Sequence, residues 1–167
     1  MNSKLLFYLI GSVFFLPACG QQSLDTALKN LNGQTVALIK PEELRRWQLE
    51  QKNLVLIDTR SLKEFQISHL KGSEFVGYES FEASRMLHIS KSSTVVIYCS
   101  VGYRSERIGK KIKEMGFKKV FNLSGGLFQW KNQGYTVVNN QNQVTDSIHA
   151  YDRLWGQYLK KGIKVYD

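Results

Sequence analysis

Cys99 begins the stretch CSVGYRSE, which connects the apolar run Thr94–Tyr98 to an amphipathic segment. A short, β-branched apolar run is typical of a buried strand. The amphipathic segment is predicted to be a helix, because Ile108, Ile112 and Met115 follow one another at spacings of four and three residues. The sequence therefore places the thiol of Cys99 at the carboxyl end of a strand, facing the N-terminus of the next helix.

That position favours a reactive cysteine. Unpaired N–H groups and the dipole at a helix N-terminus stabilise a thiolate, and Arg104 adds a positive charge nearby. Gly102 gives the loop the backbone freedom of a tight turn. Such surroundings lower a cysteine pKa from about 8.5 to about 3.5–7.5, so we interpret Cys99 as a nucleophile. The alternative is an inert buried cysteine, which is the usual role of a cysteine in an apolar run.

The N-terminal residues predict export. Lys4 precedes the apolar stretch Leu5–Leu16, which is too short for a membrane span of about 20 residues but suits the core of a signal peptide. The junction LPAC, which ends at Cys19, resembles that of bacterial lipoproteins. We expect residues 1–18 to be a signal peptide, Cys19 to be lipidated as a membrane anchor, residues 19–33 to be a tether, and the domain to lie in the periplasm. The alternative is a plain secretory signal in which Cys19 has no role.

Export changes the meaning of a single remaining thiol. An oxidising compartment favours cysteines that pair as disulfides. The sequence contains two cysteines, so a lipidated Cys19 leaves Cys99 without a partner in the chain. A lone thiol outside the cytoplasm is a liability unless it is buried and inert or used chemically.

The positive charge of the chain is diffuse. The formal net charge is +9 at pH 7, yet Lys and Arg are spread along the chain with no block of five. This pattern argues against a nucleic-acid-binding protein and favours small anionic substrates or an acidic membrane surface. The three histidines, His69, His88 and His149, form no ligand-spaced cluster with either cysteine, so no metal site is expected.

Strands and helices alternate along the chain, which indicates an α/β fold with a mostly parallel central sheet and helices on both faces. Besides Thr94–Tyr98, strands are predicted at Thr35–Ile39, Leu54–Asp58 and Lys119–Leu123. Helices are predicted from Pro41, at Ser61–Ile67, at Phe81–Ile89 and from Gly125-Gly126 through Trp130. Ligands of such sheets bind beyond the carboxyl ends of the strands, where the Cys99 loop lies.

Residues 139–167 are predicted to be an extension of a domain at residues 34–138. The polar run NNQNQ at 139–143 is interpreted as a linker, and a C-terminal helix is expected from about Ser147. The apolar residues on one side of that helix are Ile148, Tyr151, Leu154, Trp155, Tyr158 and Leu159. We expect this face to dock on the domain; the alternatives are a partner protein and a membrane surface.

Several short motifs occur in order between about Val36 and Val138: DTR (Asp58–Arg60), Glu64-Phe65, SHLKGS (Ser68–Ser73), the Cys99 loop and LSGGLFQW (Leu123–Trp130). With these motifs the segment resembles a single rhodanese domain, the sulfurtransferase family. The resemblance implies that Cys99 takes sulfane sulfur from thiosulfate, polysulfide or a persulfide and holds it as a persulfide. The sulfur then passes to a thiol or cyanide-like acceptor, and no cofactor is expected. The alternative is a non-enzymatic module that carries persulfide or binds a protein partner.

The resemblance also implies which residues surround the transferred sulfur. They are the loop residues Ser100, Val101, Gly102, Tyr103, Arg104 and Ser105. Their N–H groups and the Arg104 cation would act like an oxyanion hole. The hydroxyls of Ser100 and Ser105 are candidates for hydrogen bonds to the sulfur, although Ser105 is equally placed to cap the helix. Tyr103 either lines the pocket or covers the loop.

Four further residues are expected to support this loop: Asp58, Arg60, Glu64 and His69. Asp58, at a strand end, would orient the neighbouring loop. Arg60 and Glu64 lie four residues apart and are expected to pair in a local salt bridge. His69 is interpreted as a structural hydrogen-bonding residue rather than a catalytic base.

Loop length separates sulfur transfer from phosphate chemistry on this fold. Related phosphatases place five residues between the cysteine and the arginine, whereas four lie between Cys99 and Arg104. The smaller ring suits one sulfur atom better than a tetrahedral oxyanion. Phosphatase and arsenate reductase activities are therefore disfavoured.

Overall fold

Five parallel strands form the central sheet of the computed structural model, which describes residues 35–50 and 53–167. In chain order the strands are β1 (Ala37–Ile39), β2 (Leu54–Asp58), β3 (Ser73–Phe75), β4 (Thr94–Tyr98) and β5 (Lys119–Leu123). Their order across the sheet is β1-β5-β4-β2-β3. The predicted parallel sheet is confirmed, and its central strand, β4, is buried along its whole length and leads directly to Cys99. The predicted signal peptide, Cys19 and the tether lie outside the described residues.

Helices cover both faces of this sheet. They are α1 (Pro41–Glu50), α2 (Leu62–Ile67), α3 (Tyr103–Glu114) and α4 (Gly126–Asn132). Successive residues of β4 point to opposite faces: Val96 belongs to the apolar cluster that contains Phe128 of α4. Its neighbour Ile97 belongs to a second cluster, which contains Ile108 of α3. Within the described residues, no helix is long and apolar enough to cross a bilayer.

Two short elements differ from the sequence prediction. The segment Phe81–Ile89 is predicted to be helical, but it holds one 3₁₀ turn, Ala83–Met86. That turn already buries Met86, and 3₁₀ turns rarely extend beyond four residues. Strand β3 escapes prediction because it has three residues, contains no apolar run and lies at the edge of the sheet.

The predicted C-terminal helix is wrong. Two short strands, β6 (Val137–Val138) and β7 (Val144–Thr145), come first in this part of the chain. The elements found in place of the helix are β8 (Ser147–His149), α5 (Arg153–Gly156) and β9 (Ile163–Val165). Strands β8 and β9 pair in parallel, and α5 is a single turn between them. The apolar spacing misleads because Tyr151 and Leu154 are exposed rather than part of one buried face. Tyr151 also has a positive φ, which is incompatible with a continuous helix, and Asp152 caps α5.

The extension nevertheless docks on the domain, as expected. Ile148, Ala150 and Leu159 are buried in the same apolar cluster as Phe128. The polar run at 139–143 is not a free linker. It is the turn of an antiparallel hairpin whose strands are β6 (Val137–Val138) and β7 (Val144–Thr145). Ordered backbone pairing therefore leads from the domain into the extension.

The start of α4 fixes the backbone of the Cys99 loop. The N–H of Leu127 donates to the carbonyl oxygen of Cys99 at 2.9 Å, and the N–H of Phe128 donates to that of Ser100 at 3.0 Å. Gly126 permits this close approach. Its φ is +56°, and a Cβ built there would lie 2.7 Å from the carbonyl carbon of Ser100. Any side chain at residue 126 would therefore displace the loop.

Gly126→Ala is expected to lower the free energy of unfolding by roughly 2–5 kcal/mol, from about 1–2 kcal/mol of backbone strain and about 1–3 kcal/mol of overpacking. Gly116→Ala is the matched control. Gly116 also has a positive φ, of +94°, but nothing lies within 4 Å of a Cβ built there. Only the backbone cost applies at that position. Urea denaturation measures both values, and equal losses in the two variants would contradict the tight contact between Gly126 and the loop.

Candidate active site

Cys99 is the first residue after β4 and is 1% exposed. Its Sγ accepts a hydrogen bond from the N–H of Gly102 at 3.1 Å. Gly102 is the N-cap of α3 and has a φ of 107°, a conformation that favours glycine. The thiol thus lies at the N-terminus of a helix, as the sequence predicts.

Opposing effects act on the pKa of the Cys99 thiol. Burial raises this pKa, because a buried thiolate loses its hydration. The positive charge of Arg104 and hydrogen bonds from the N–H groups of Ser105 and Val101 lower it. The lowering effects are the stronger, and the pKa of Cys99 lies below that of an ordinary cysteine. The surroundings of Sγ therefore stabilise negatively charged sulfur.

Glu64 holds Arg104 in position. Nη1 and Nη2 of Arg104 donate to Oε2 and Oε1 of Glu64, each at 2.7 Å. The hydroxyl of Ser100 donates to Oε1 of Glu64 at 2.8 Å and accepts from Nη2 of Arg104 at 3.0 Å. The hydroxyl of Ser100 donates its hydrogen bond to Glu64, so it does not make the expected hydrogen bond to the sulfur. It links α2 to α3 instead.

The carboxyl group of Glu64 is buried yet ionised. Burial raises its pKa, but the hydrogen bonds and charge of Arg104, the charge of Arg60 and the N–H of Ser61 lower it to about 2. The N–H of Ser61 donates to Oε2 of Glu64 at 2.9 Å, and the Ser61 hydroxyl accepts from the N–H of Glu64. This is the capping box of α2, and its signal, S-x-x-E, is present in the sequence SLKE.

The predicted pair of Arg60 with Glu64 is wrong. Arg60 binds Asp58 instead, with Nε 3.0 Å from Oδ1 and Nη2 2.7 Å from Oδ2. Its Nη2 also donates to the carbonyl oxygen of Ser68 at 2.5 Å. Pairing at a spacing of four assumes a helical turn, but Arg60 precedes the N-cap of α2. Asp58 thus orients the neighbouring segment, as expected, and the buried pair ties the end of β2 to Ser68.

His69 has a structural role, as predicted. Its Nδ1 lies 2.9 Å from the carbonyl oxygen of Phe65, and the two rings stack with their centroids 3.9 Å apart. Its backbone N–H and carbonyl both pair with Val138. These contacts fix the segment after α2 and leave the ring of His69 outside the pocket that Cys99 lines.

Sequence reasoning misses two buried polar residues behind the loop, Asn122 of β5 and Glu106 of α3. Asn122 accepts from the hydroxyl of Ser105 at 2.7 Å and donates to the carbonyl oxygen of Gly102 at 2.9 Å. It also lies 3.3 Å from Oε2 of Glu106. Since Gly102 is the N-cap, Ser105 does not cap α3 but joins this network. The signal for this network in the sequence is Asn122 itself, a polar residue between apolar residues in the strand KVFNL.

Cys99 lines a pocket of about 1130 Å³. Tyr103, expected either to line the pocket or to cover the loop, lines the pocket. The C-terminal extension contributes His149, Tyr151 and Trp155 to the same pocket. No local motif predicts these three, because they reach the pocket only through the folding of the extension onto the domain.

Known proteins match both the sequence and the fold. The family model described as Rhodanese-like domain matches residues 40–133. The probable adenylyltransferase/sulfurtransferase MoeZ of Mycobacterium tuberculosis is 31% identical over 110 residues, which are 65% of this chain and 27% of that protein. The putative sulfur carrier protein YrkF of Bacillus subtilis is 26% identical over 99 residues, which are 59% of this chain and 53% of that protein. The chain therefore spans about a quarter and about half of these relatives.

The same fold occurs in solved structures. The solution structure of the rhodanese-like domain of the Anabaena protein Alr3790 superposes with a TM-score of 0.56 at 19% identity. The match covers 61% of this chain and 78% of that one. The parallel sheet with helices on both faces is thus a fold that this domain shares.

Arg104→Ala is expected to raise the pKa of the Cys99 thiol, because it removes the cation beside the sulfur. A nearby opposite charge typically shifts a pKa by about 1–3 units, so alkylation by iodoacetamide near neutral pH is expected to slow by about tenfold or more. Glu64→Gln is the matched variant, for which the pKa of Cys99 is expected to shift in the opposite direction. It removes the anion that pairs with Arg104 and is expected to lower the pKa of Cys99.

The pH dependence of the alkylation rate, followed by intact-protein mass spectrometry, gives the pKa in each variant. Identical profiles in the wild type, Arg104→Ala and Glu64→Gln would contradict the electrostatic role of the Glu64–Arg104 pair.

Proposed function

Because the chain belongs to the rhodanese-like domain family, we propose that it transfers sulfane sulfur through a persulfide on Cys99. The observation that carries this proposal is the hydrogen bond from the N–H of Gly102 to Sγ, beside the cation of Arg104. Sulfur transfer needs a sulfur anion twice, first as the attacking thiolate and then as the persulfide. The same donors stabilise both.

In the first half of the reaction, the Cys99 thiolate attacks the sulfane sulfur of thiosulfate, a polysulfide or a persulfide. A new S–S bond to Cys99 forms as the bond between the sulfane sulfur and the rest of the donor breaks. The electron pair leaves with the donor, as sulfite in the case of thiosulfate. The negative charge moves from Sγ to the terminal sulfur, where the loop N–H groups and Arg104 stabilise it.

In the second half, a thiol or cyanide-like acceptor attacks the terminal sulfur and Cys99 leaves as a thiolate. Because its pKa is lowered, Cys99 is a better leaving group than an ordinary cysteine. Each half exchanges one bond to the transferred sulfur for another, so neither half requires an external oxidant, reductant or cofactor.

The second candidate function is that of a persulfide carrier, which receives sulfur from one protein and delivers it to another. The similarity to a protein named as a putative sulfur carrier favours this candidate. The two functions share the persulfide on Cys99. They differ in whether a small acceptor can remove the sulfur.

Cys99→Ser is expected to leave the fold intact and to abolish thiosulfate:cyanide sulfurtransferase activity, because a serine hydroxyl does not ionise near neutral pH. Thiocyanate formation measures the activity, and circular dichroism checks the fold. Undiminished thiocyanate formation by the folded variant would contradict the role of Cys99. A wild-type protein that takes up sulfur stably but releases none to cyanide or small thiols would favour the carrier.

We also propose that the chain is exported and anchored to a bacterial membrane through a lipid on Cys19. The support lies in the sequence, where the apolar stretch Leu5–Leu16 ends in LPAC and the polar residues GQQS follow. A lipid at this position would hold the rhodanese domain next to the membrane in the periplasm.

Cys19→Ala is expected to abolish incorporation of a labelled fatty acid and to move the protein out of the membrane fraction. Cys99→Ser serves as the control, since it removes the other cysteine and is expected to leave the label in place. Fatty-acid labelling that persists in Cys19→Ala would show that Cys19 is not the site of lipidation.

A further inference from the structure

The C-terminal extension, which begins beyond the family match at residues 40–133, forms part of the wall of the Cys99 pocket. Its lining residues are His149, Tyr151, Asp152, Trp155 and Asp167. The domain itself contributes further aromatic side chains, those of Phe75, Tyr78 and Tyr103. The pocket beside the thiol is therefore rich in aromatic side chains. Those that the extension contributes lie outside the residues that the family model matches.

Tyr151 lies close to the residues proposed to carry the chemistry. Its ring packs on Arg104, whose guanidinium carbon is 5.1 Å from the ring centroid. The residue is 51% exposed and lines the pocket, so it is accessible to a ligand there. Its φ is 67°, a conformation that non-glycine residues rarely adopt and that persists where the surroundings enforce it.

A chain of contacts runs from the backbone of Tyr151 to α2. The N–H of Tyr151 donates to Nδ1 of the buried His149 at 3.1 Å, and Nε2 of His149 lies 3.0 Å from Oδ1 of Asp167. Asp167 in turn pairs with Nζ of Lys63 at 2.7 Å. Lys63 precedes Glu64 in α2, so the helix that positions Arg104 also contacts the wall that carries Tyr151.

The pocket is larger than a small inorganic donor requires. Its volume of about 1130 Å³ is above the ~300–1,000 Å³ typical of sites for organic ligands. Thiosulfate at the Cys99 loop would make no contact with most of the aromatic wall. Aromatic side chains pair favourably with other flat apolar groups.

We propose that the pocket selects a sulfur donor that carries its sulfane sulfur on an organic molecule with a flat apolar group, which packs against Tyr151. This inference rests on the sulfur-transfer function proposed above and names its substrate class. With an organic thiosulfonate, the Cys99 thiolate attacks the sulfane sulfur and the S–S bond to the sulfonyl sulfur breaks. The electron pair leaves with the organic sulfinate, and Cys99 becomes a persulfide anion.

The test compares benzenethiosulfonate with methanethiosulfonate, which present the same reacting atoms on a large flat group and on a small one. With the full-length protein and cyanide as acceptor, kcat/KM is expected to favour the aromatic donor. Tyr151→Ala is expected to lower that preference about fivefold, and Tyr151→Phe to retain it. Tyr166→Ala is the control, because Tyr166 is a partly exposed tyrosine of the same extension that does not line the pocket.

The leaving groups give a test that does not depend on transfer. Calorimetric Kd values for benzenesulfinate and methanesulfinate are expected to show the same preference in the wild type and its loss in Tyr151→Ala. A preference that is absent from the wild type, or unchanged in Tyr151→Ala, would overturn the inference. Absence of sulfur transfer from both donors, with the binding preference intact, would instead contradict the proposed function alone.

Discussion

A buried sulfur anion imposes the constraint on which the rest of the site depends. Moving a thiolate out of water raises its free energy, so N–H donors and positive charge must replace its hydration. In this protein the N–H of Gly102 lies 3.1 Å from Sγ of Cys99, and Arg104 supplies the charge. These groups are available because the central strand ends at the thiol and α3 begins directly after the loop. The parallel sheet thus serves to bring a strand end and a helix start to one point.

The cation beside the sulfur needs its own support. Glu64 binds two nitrogens of Arg104, and the capping box with Ser61 fixes Glu64 in turn. Burying an ion pair costs hydration on both sides and adds little net stability, so the pair is best understood as a device that fixes position. The extension reaches the same helix through the ion pair between Lys63 and Asp167. One short helix therefore contacts both the charge at the loop and the wall that the extension adds to the pocket.

Local patterns predict the elements of this protein well, and long-range partners poorly. The β4–loop–α3 unit follows from an apolar run and a helical spacing that lie side by side in the sequence. The pair of Glu64 with Arg104 joins residues forty positions apart, and no periodicity encodes it. The C-terminal prediction fails for the same reason, because the apolar spacing after Ser147 fits a helix until the pairing of β8 with residues 163–165 is known.

Sulfur bound to Cys99 can be observed directly. The full-length protein is treated in separate reactions with thiosulfate, polysulfide and a thiosulfonate, and mass spectrometry with peptide mapping then locates any added mass. A gain of one sulfur atom on the peptide that contains Cys99, lost again on addition of cyanide with thiocyanate as the product, is the predicted result. A chain that gains no sulfur from thiosulfate, polysulfide or a thiosulfonate, or gains it at another residue, would contradict the persulfide at Cys99.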